Sequence, residues 1–513
     1  MNKPLLGSLV AATLLLGDAS AATMYERFET MEKEMLRLQT ELADMKAKEA
    51  AAEPEEEKAD YSEAEPEEEE DEEDEDEDSV ADRLDDLEES VHEINTHTAG
   101  NNLKLNVDFR TSFDNLQYKM SDGSKQKNDA VLSNRLWINM NWAANKNVSF
   151  TGQLAYNKTY GQRFGASNPV NGSFENFDWI TNENAYDNQI RVKSAYYFYR
   201  NDTFLGSDIP WTFSLGRRPS TNGHLINLRD DDVAASPSGH TINVEFDGLS
   251  SKFSLEQLTG VEGMYVKFCA GRGATNAAPR FNSAPYAEAD TDLAAIDLAG
   301  LIFVPYDNGQ FSVGTQFYTA TNLIEAVNPA DQTAGFSTVG NIYSGSMYMM
   351  MNGIGDEWSD FLDDTTFFVS GAMSRTDPDE ANAAGMFGST DMENGYSYWA
   401  GLNMPSLFSE DGRFGLEFNH GSKYWRSITY AEDTMIGSKV AARGDAYEAY
   451  FTEPLVDDVL SLQVRYTYID YDYSGSNGFF GSTTGMPMKI EDTPSPGIVD
   501  KAQDIRVYLR YRY

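Results

Sequence analysis

The chain has 513 residues and one cysteine, and its 39 Lys and Arg stand against 83 Asp and Glu for a formal charge of -44. That balance excludes a nucleic-acid binder, which must neutralise phosphates with clustered cations. A single cysteine excludes an internal disulfide framework, and no Cys/His spacing fits zinc, an iron-sulfur cluster or haem, so no cofactor and no metal is expected.

In chain order, residues 1–21 come first. Lys3 precedes the apolar stretch Leu5 to Gly17, and Ala19-Ser20-Ala21 supplies the small residues of a signal-peptidase site. The segment reads as a Sec signal peptide cleaved after Ala21, since its apolar core is shorter than the ~20 residues a spanning helix needs. Beyond it no apolar run reaches that length, which excludes a helical membrane protein.

Residues 22–48 then repeat Met24, Phe28, Met31, Met35, Leu38, Leu42 and Met45 at alternating gaps of four and three, the 3.5 period of a coiled-coil helix. Residues 80–98 resume the pattern with Val80, Leu84, Leu87, Val91 and Ile94 in the same register. Between them, residues 49–79 culminate in the unbroken acidic run Glu67 to Asp78, which repels itself, has almost nothing to bury and is expected to be a disordered linker. A lone amphipathic stripe cannot bury itself, so a homo-oligomer is expected, most simply a trimer, with packing on the chain's own barrel as the alternative. This stalk belongs on the periplasmic side, where peptidoglycan is a possible partner.

From residue 101 the period changes to 2. In Leu103, Leu105, Val107 and Phe109 every second residue is apolar, while Lys104, Asn106, Asp108 and Arg110 point the other way. The alternation recurs down to Ile505, Val507, Leu509, Tyr511 and Tyr513, and sixteen strands are expected, within a range of fourteen to eighteen. The connections decide between a soluble sandwich and a membrane barrel. They alternate long (Asp114 to Ala130) with short (Ala143 to Lys146), and long (Lys158 to Asn188) with short (Asn201 to Pro210). This asymmetry predicts an all-β fold over 101–513, an antiparallel transmembrane β-barrel with brief periplasmic turns and longer external loops. Trp142, Tyr156, Trp211 and Tyr513 are placed for interfacial girdles in outer-membrane lipid. Val507, Leu509, Tyr511 and Tyr513 share one face of an aromatic-ended last strand, which resembles the signal read by the barrel assembly machinery, though it lacks that pattern's usual glycine.

The passages Arg191 to Tyr199, Trp211 to Gly223 and Asn243 to Leu249 are similar to porins generally. They resemble more particularly an uncharacterised porin-like family, domain-of-unknown-function family 3373, whose members also carry a short amino-terminal coiled coil. The resemblance covers roughly residues 24–513 and centres on Leu215 to Gly223. It implies a Gram-negative outer-membrane location and supplies neither substrate nor functional residues.

No catalytic set is expected. Of five histidines, His92 and His97 lie in the stalk and His224 and His240 flank an external loop. Asn419-His420-Gly421-Ser422 is the one candidate for hydrolase chemistry, but adjacent strand residues face opposite sides. Asp230, Asp231 and Asp232 read as a solvated loop face, and Cys269 as an unpaired thiol facing the lumen. Opposite parity to the apolar positions assigns Lys104, Arg110, Arg135, Arg191, Lys193, Arg218, Lys267, Arg465, Arg506 and Arg510 to the pore lining, against few acids, chiefly Asp108, Glu417 and Glu448. The first, second and last strands become neighbours on closure, so a basic wall is expected there. Glu175, Asp178, Glu183 and Asp187, in the longest early loop, are the expected acids of a folded-in constriction loop. The reading is a porin-like channel for passive diffusion of small hydrophilic solutes or ions. A structural tether to the cell wall and a substrate-specific channel are the alternatives.

Overall fold

The computed structural model describes residues 104–161, 190–218, 223–275, 294–326, 336–355, 358–379, 385–409, 411–429, 434–475 and 485–513. The expected signal peptide, coiled-coil segments and acidic linker lie outside the described residues, as do Glu175, Asp178, Glu183 and Asp187.

Period-2 alternation produces a single closed antiparallel barrel of sixteen strands. They are β1 (Lys104–Met120), β2 (Lys125–Ala143), β3 (Val148–Thr159), β4 (Arg191–Asn201), β5 (Trp211–Arg218), β6 (Phe246–Ser254), β7 (Tyr265–Ala274) and β8 (Ile296–Asp307). The second half comprises β9 (Phe311–Ala326), β10 (Phe336–Asn352), β11 (Thr366–Pro378), β12 (Asn394–Pro405), β13 (Arg413–Gly421), β14 (Gly444–Val456), β15 (Leu460–Tyr471) and β16 (Val499–Arg512). Closure is made by β1 on β16, in register from Asp108 opposite Arg512 to Lys119 opposite Lys501. The seam ends where the Val107 N–H donates to the Tyr513 carbonyl at 2.7 Å and the Tyr513 N–H donates back at 2.9 Å. No strand edge remains unpaired around the ring, which is the condition for strands to cross hydrocarbon.

Closure fixes two surfaces. Leu105, Phe109 and Phe113 on β1, Val464 and Tyr466 on β15, and Ile505, Leu509 and Tyr511 on β16 stand exposed on the outside. Between them Asp108, Arg110, Ser112, Asp114, Arg465, Arg506 and Arg510 are buried on the inside. An apolar band outside and charge inside is the reverse of a water-soluble protein and fits a lipid-facing wall. Small residues on the inner wall admit aromatic rings from neighbouring strands: a Cβ at Gly401 would strike the Phe368 ring, and one at Gly415 the Tyr450 ring.

Two expectations are corrected. Asp114 to Ala130 is not a long loop, because β1 and β2 continue as a paired hairpin to the turn at Ser121–Ser124. In β4 the expected alternation, which would set Val192, Tyr196 and Phe198 on one face, is broken by a register shift opposite Gln153 and Leu154. Downstream of that bulge Tyr197 lies opposite the outward Leu215, while Phe198 lies opposite the buried Ser214. One extra residue inverts every later side chain of the strand.

Replacing the outward Leu416 by Arg is expected to destabilise the barrel by about 2–4 kcal/mol if that position lies near the bilayer midplane, and less toward the interface. Reversible urea unfolding in lipid vesicles measures it; an unchanged midpoint and slope would contradict a lipid-facing β13.

Candidate functional site

The expected basic wall exists. Arg110 on β1 lies directly between Arg135 on β2 and Arg510 on β16, and Arg506 lies between Arg465 on β15 and Asp114 on β1. Three guanidinium groups in a row would repel one another, so their anions matter more than their number. Asp108 accepts from Arg510 Nε at 3.1 Å and from Arg135 Nη2 at 3.4 Å, and Asp114 pairs with Arg506. Arg135 also stacks over the Trp137 ring, 3.6 Å from its centroid. The interior therefore holds more acid than parity alone suggested: Asp114 and Asp504 join Asp108, Glu417 and Glu448 as buried wall carboxylates.

The remaining anions come from a loop that folds inward, the connection between β5 and β6. Within it lies the short helix α1 (Asn227–Asp230), with Asn227, Arg229 and Asp230 buried. Arg510 Nη1 donates to the Asp230 carbonyl at 2.8 Å and Nη2 to the Asp232 carboxylate at 2.7 Å, while the Tyr508 hydroxyl donates to Asp230 Oδ1 at 2.8 Å. Further along the wall, Arg229 Nη1 donates to Glu448 at 3.1 Å and Gln463 Nε2 to the Arg229 carbonyl at 2.9 Å. The expectation that Asp230 to Asp232 form a solvated loop face is thus overturned. Asp230 is buried and Asp232 largely so, and only Asp231 stays in water. A folded-in acidic segment does face the arginine wall, but it is built from the β5–β6 connection, whereas the acids expected to supply it fall outside the described residues.

A second connection, between β13 and β14, folds in beside the first. Ile428–Thr429 pairs in parallel with Ile242–Asn243, and Lys439 Nζ donates to Glu417 at 2.7 Å on the inner wall. The two segments share a buried apolar core in which Ile242, Val244 and Ile428 meet Tyr318, Val339 and Ile342 of β9 and β10. His240 sits at this junction. Its Nδ1 and Nε2 lie 2.8 Å from the hydroxyls of Ser370 and Ser397, and its ring meets Trp399 and Trp425 edge to face. Complete burial pushes the imidazole down to about 3, so it is held neutral.

The other expected pore-lining residues divide. Lys193, at the β4 bulge, stacks on Trp137 at 4.2 Å, Arg218 stacks on Tyr196 at 4.2 Å, and Lys267 shares the inner face with Cys269. Arg191 pairs in register with the buried Ala155, whereas Lys104 stands exposed at the barrel end that carries the termini. Lys252 was not among the expected residues, although its alternation with the outward Leu249 and Phe253 carries the signal: it lies opposite Lys267, with Nζ 4.0 Å from the Tyr265 centroid. A cavity of about 1190 Å³ opens below α1, lined by Arg229, Asp232, Arg413, Tyr450, Asp457 and Arg512. Cys269 is free and half-buried. Asn419 faces inward, where it donates to the Lys439 carbonyl, while His420 faces outward, 2.7 Å from Asp445 and stacked on the exposed Tyr398. The adjacent pair is divided between the two faces of the wall.

A closed sixteen-stranded barrel with an apolar exterior, a charged interior and connections folded into its bore defines a transmembrane β-barrel of the outer-membrane class. The chain belongs to a family of proteins of unknown function (DUF3373), whose model matches residues 125–513. Among solved structures it is similar to OmpT, an outer membrane protein of Vibrio cholerae in its trimer form, at 13% identity and a TM-score of 0.42, covering 80% of this chain and 99% of that one. It is also similar to OmpF of Salmonella typhi in complex with daunomycin, at 12% identity and a TM-score of 0.43, covering 81% and 99%. A mutant porin of Rh. blastica follows at 11% identity and 0.38, covering 80% and 100%. No curated protein matches the chain.

Two outcomes test this interior. Arg510→Ala leaves Asp108 only its longer contact with Arg135 at 3.4 Å and Asp232 only Arg512 at 3.6 Å, and is expected to cost about 3–5 kcal/mol, the range for breaking a buried ion pair; heat-modifiable mobility and calorimetry read it. For His240 the folded state resists protonation, so its contribution is complete above the ordinary value of 6.5 and is lost as pH falls from there toward about 3. Wild type should therefore lose about 3 kcal/mol between pH 7 and pH 4 from this group, at about 1.36 kcal/mol per unit, and His240→Gln should lack that component.

Proposed function

We propose that the chain is an outer-membrane channel for passive diffusion of small hydrophilic solutes or ions, with its termini at the periplasmic end. The observation that carries this reading is the asymmetry of the interior. The β5–β6 connection is fastened to β14, β15 and β16 through Arg229, Asp230 and Asp232. On the other side, β4 to β6 present Lys193, Arg218 and Lys252 over the faces of Trp137, Tyr196 and Tyr265. A conduit with acid-bearing loop on one side and cations on the other carries a transverse field, which orients dipolar solutes and disfavours apolar ones. The wall positions Lys104, Arg110, Arg135, Arg191, Lys193, Arg218, Lys267, Arg465, Arg506 and Arg510 act in two groups. On the seam Arg510 fastens the folded-in segment through Asp230 and Asp232, and the cations of β4 to β7 face the solute. The coiled coil of residues 24–45 and 80–94 holds the barrels as a homo-oligomer, most simply a trimer, and the last strand is the element read during assembly.

A structural tether is favoured by one observation: two connections, not one, are packed into the bore around a shared core. Planar bilayers separate the readings. The full-length protein should show discrete, salt-dependent conductance steps, and silence under conditions where the barrel is folded would favour the tether. Asp230→Asn combined with Asp232→Asn should raise and destabilise the unitary conductance by loosening α1 from Tyr508 and Arg510; an unchanged conductance would mean that α1 does not border the path.

A further inference from the structure

The outer wall is interrupted on β10 and β11, where two outward positions are glycines set among bulky residues. Gly345 lies in register between Phe317 and Met373, and Gly371 between Met347 and Tyr398. Between the larger side chains runs a groove of about 780 Å³ on the lipid side, walled by the exposed Phe317, Met347, Met373 and Tyr396. A Cβ at Gly371 would meet nothing within 4 Å, so the trough is open down to the strand there. The groove ends in charge, because Arg375 and Asp377 also line it on the outward face of β11. Odd-numbered strands of the ring run away from the termini, which places Arg375 about 10 Å short of the strand end at Pro378, near the rim of the barrel remote from the termini. Arg375 forms no ion pair among the described residues, and its side-chain hydrogen bond there runs from Nη2 to the Met392 thioether at 3.2 Å, a weak acceptor. The Asp377 carboxylate accepts from Asn341 Nδ2 at 3.4 Å and likewise has no cation within ion-pair distance among the described residues. A guanidinium at the edge of hydrocarbon with a thioether for its partner is costly unless a headgroup supplies an anion.

We propose that this groove holds one membrane lipid whose head carries a phosphate and, beyond it, a primary ammonium group, as an ethanolamine phospholipid does. An acyl chain fills the trough over Gly345 and Gly371, the phosphate meets the planar Arg375 fork, and the ammonium donates to Asp377. The order of the charges fits this occupant. Asp377 lies two residues, about 7 Å, nearer the rim than Arg375, and in such a lipid the ammonium lies farther from the chains than the phosphate. A head with net negative charge is opposed by Asp377, and a quaternary ammonium has no N–H to give it. The site goes beyond the channel reading and does not depend on whether the bore conducts.

The test gives the full-length protein, delipidated in detergent, phospholipids of identical chains with ethanolamine, choline or glycerol heads and reads them by native mass spectrometry. One ethanolamine lipid per chain should be retained, about ten-fold tighter than the glycerol lipid, the order of one charge-assisted hydrogen bond. Arg375→Gln should weaken the ethanolamine and choline lipids alike by about ten-fold. Asp377→Asn should bring the ethanolamine lipid down to the choline level and strengthen the glycerol lipid. Gly371→Leu fills the open trough with both charges intact and should abolish retention of all three. Heat-modifiable mobility shows that each variant is folded. Retention indifferent to the head group, or unchanged in folded Arg375→Gln and Gly371→Leu, overturns the site and leaves only the general lipid belt. Loss of oligomer mass in Gly371→Leu, with no lipid retained by the wild type, also overturns it and puts a second copy of the chain in the groove.

Discussion

The pairing of β1 with β16 is the constraint on which everything else depends. Hydrocarbon offers no partner to a backbone amide, so a sheet that crosses it must close, and closure turns a period of two into an inside and an outside. Once Arg110 is set between Arg135 and Arg510, the three cannot move apart by sliding, because a one-residue slip would carry the whole charged row into lipid. The interior must then supply anions. Asp108 and Asp114 do so from the wall, and Asp232 does so from a chain segment brought in across the bore.

This explains why the β5–β6 connection lies inside. Its α1 is one turn long and has no stability of its own, since a helix this short cannot repay its nucleation. It is held by its neighbours: Asn403 donates to the Leu228 carbonyl, Gln463 to the Arg229 carbonyl and Arg510 to the Asp230 carbonyl. The backbone groups a free turn would offer to water are taken up by the barrel wall. The β13–β14 connection adds a second brace, and the two meet where neutral His240 bridges Ser370 and Ser397. A segment fastened at so many points acts as part of the barrel's core.

The two sides of the bore consequently differ in kind. On the seam side, cation and carboxylate are paired and buried, which gives rigidity and little net field. On the β4 to β7 side, cations rest on aromatic faces, Arg218 on Tyr196 and Lys252 on Tyr265, an arrangement that desolvates them without neutralising them.

The barrel was legible in the sequence because strand periodicity is local. Sixteen strands, their closure, the inward parity of Arg110, Arg135, Arg465, Arg506 and Arg510, and the opposed faces of Asn419 and His420 all follow from a rule that holds residue by residue. Three things escaped it, each for a physical reason. The bulge between β3 and β4 inserts one residue with no compositional mark, so the inversion of Tyr196, Tyr197 and Phe198 is visible only in the paired register. The hairpin extension keeps an alternating apolar face only in Leu116, Tyr118 and Met120 of β1, whereas Ser121 to Asp129 is polar throughout and so resembles a loop. Asp230 to Asp232 read as solvated because three adjacent acids usually are. The burial of Asp230 and Asp232 depends on Tyr508 and Arg510, some 280 residues later in the chain. Local pattern determines which way a strand residue faces; which distant charge it meets across the bore is decided only when the ring closes and the connections fold into it.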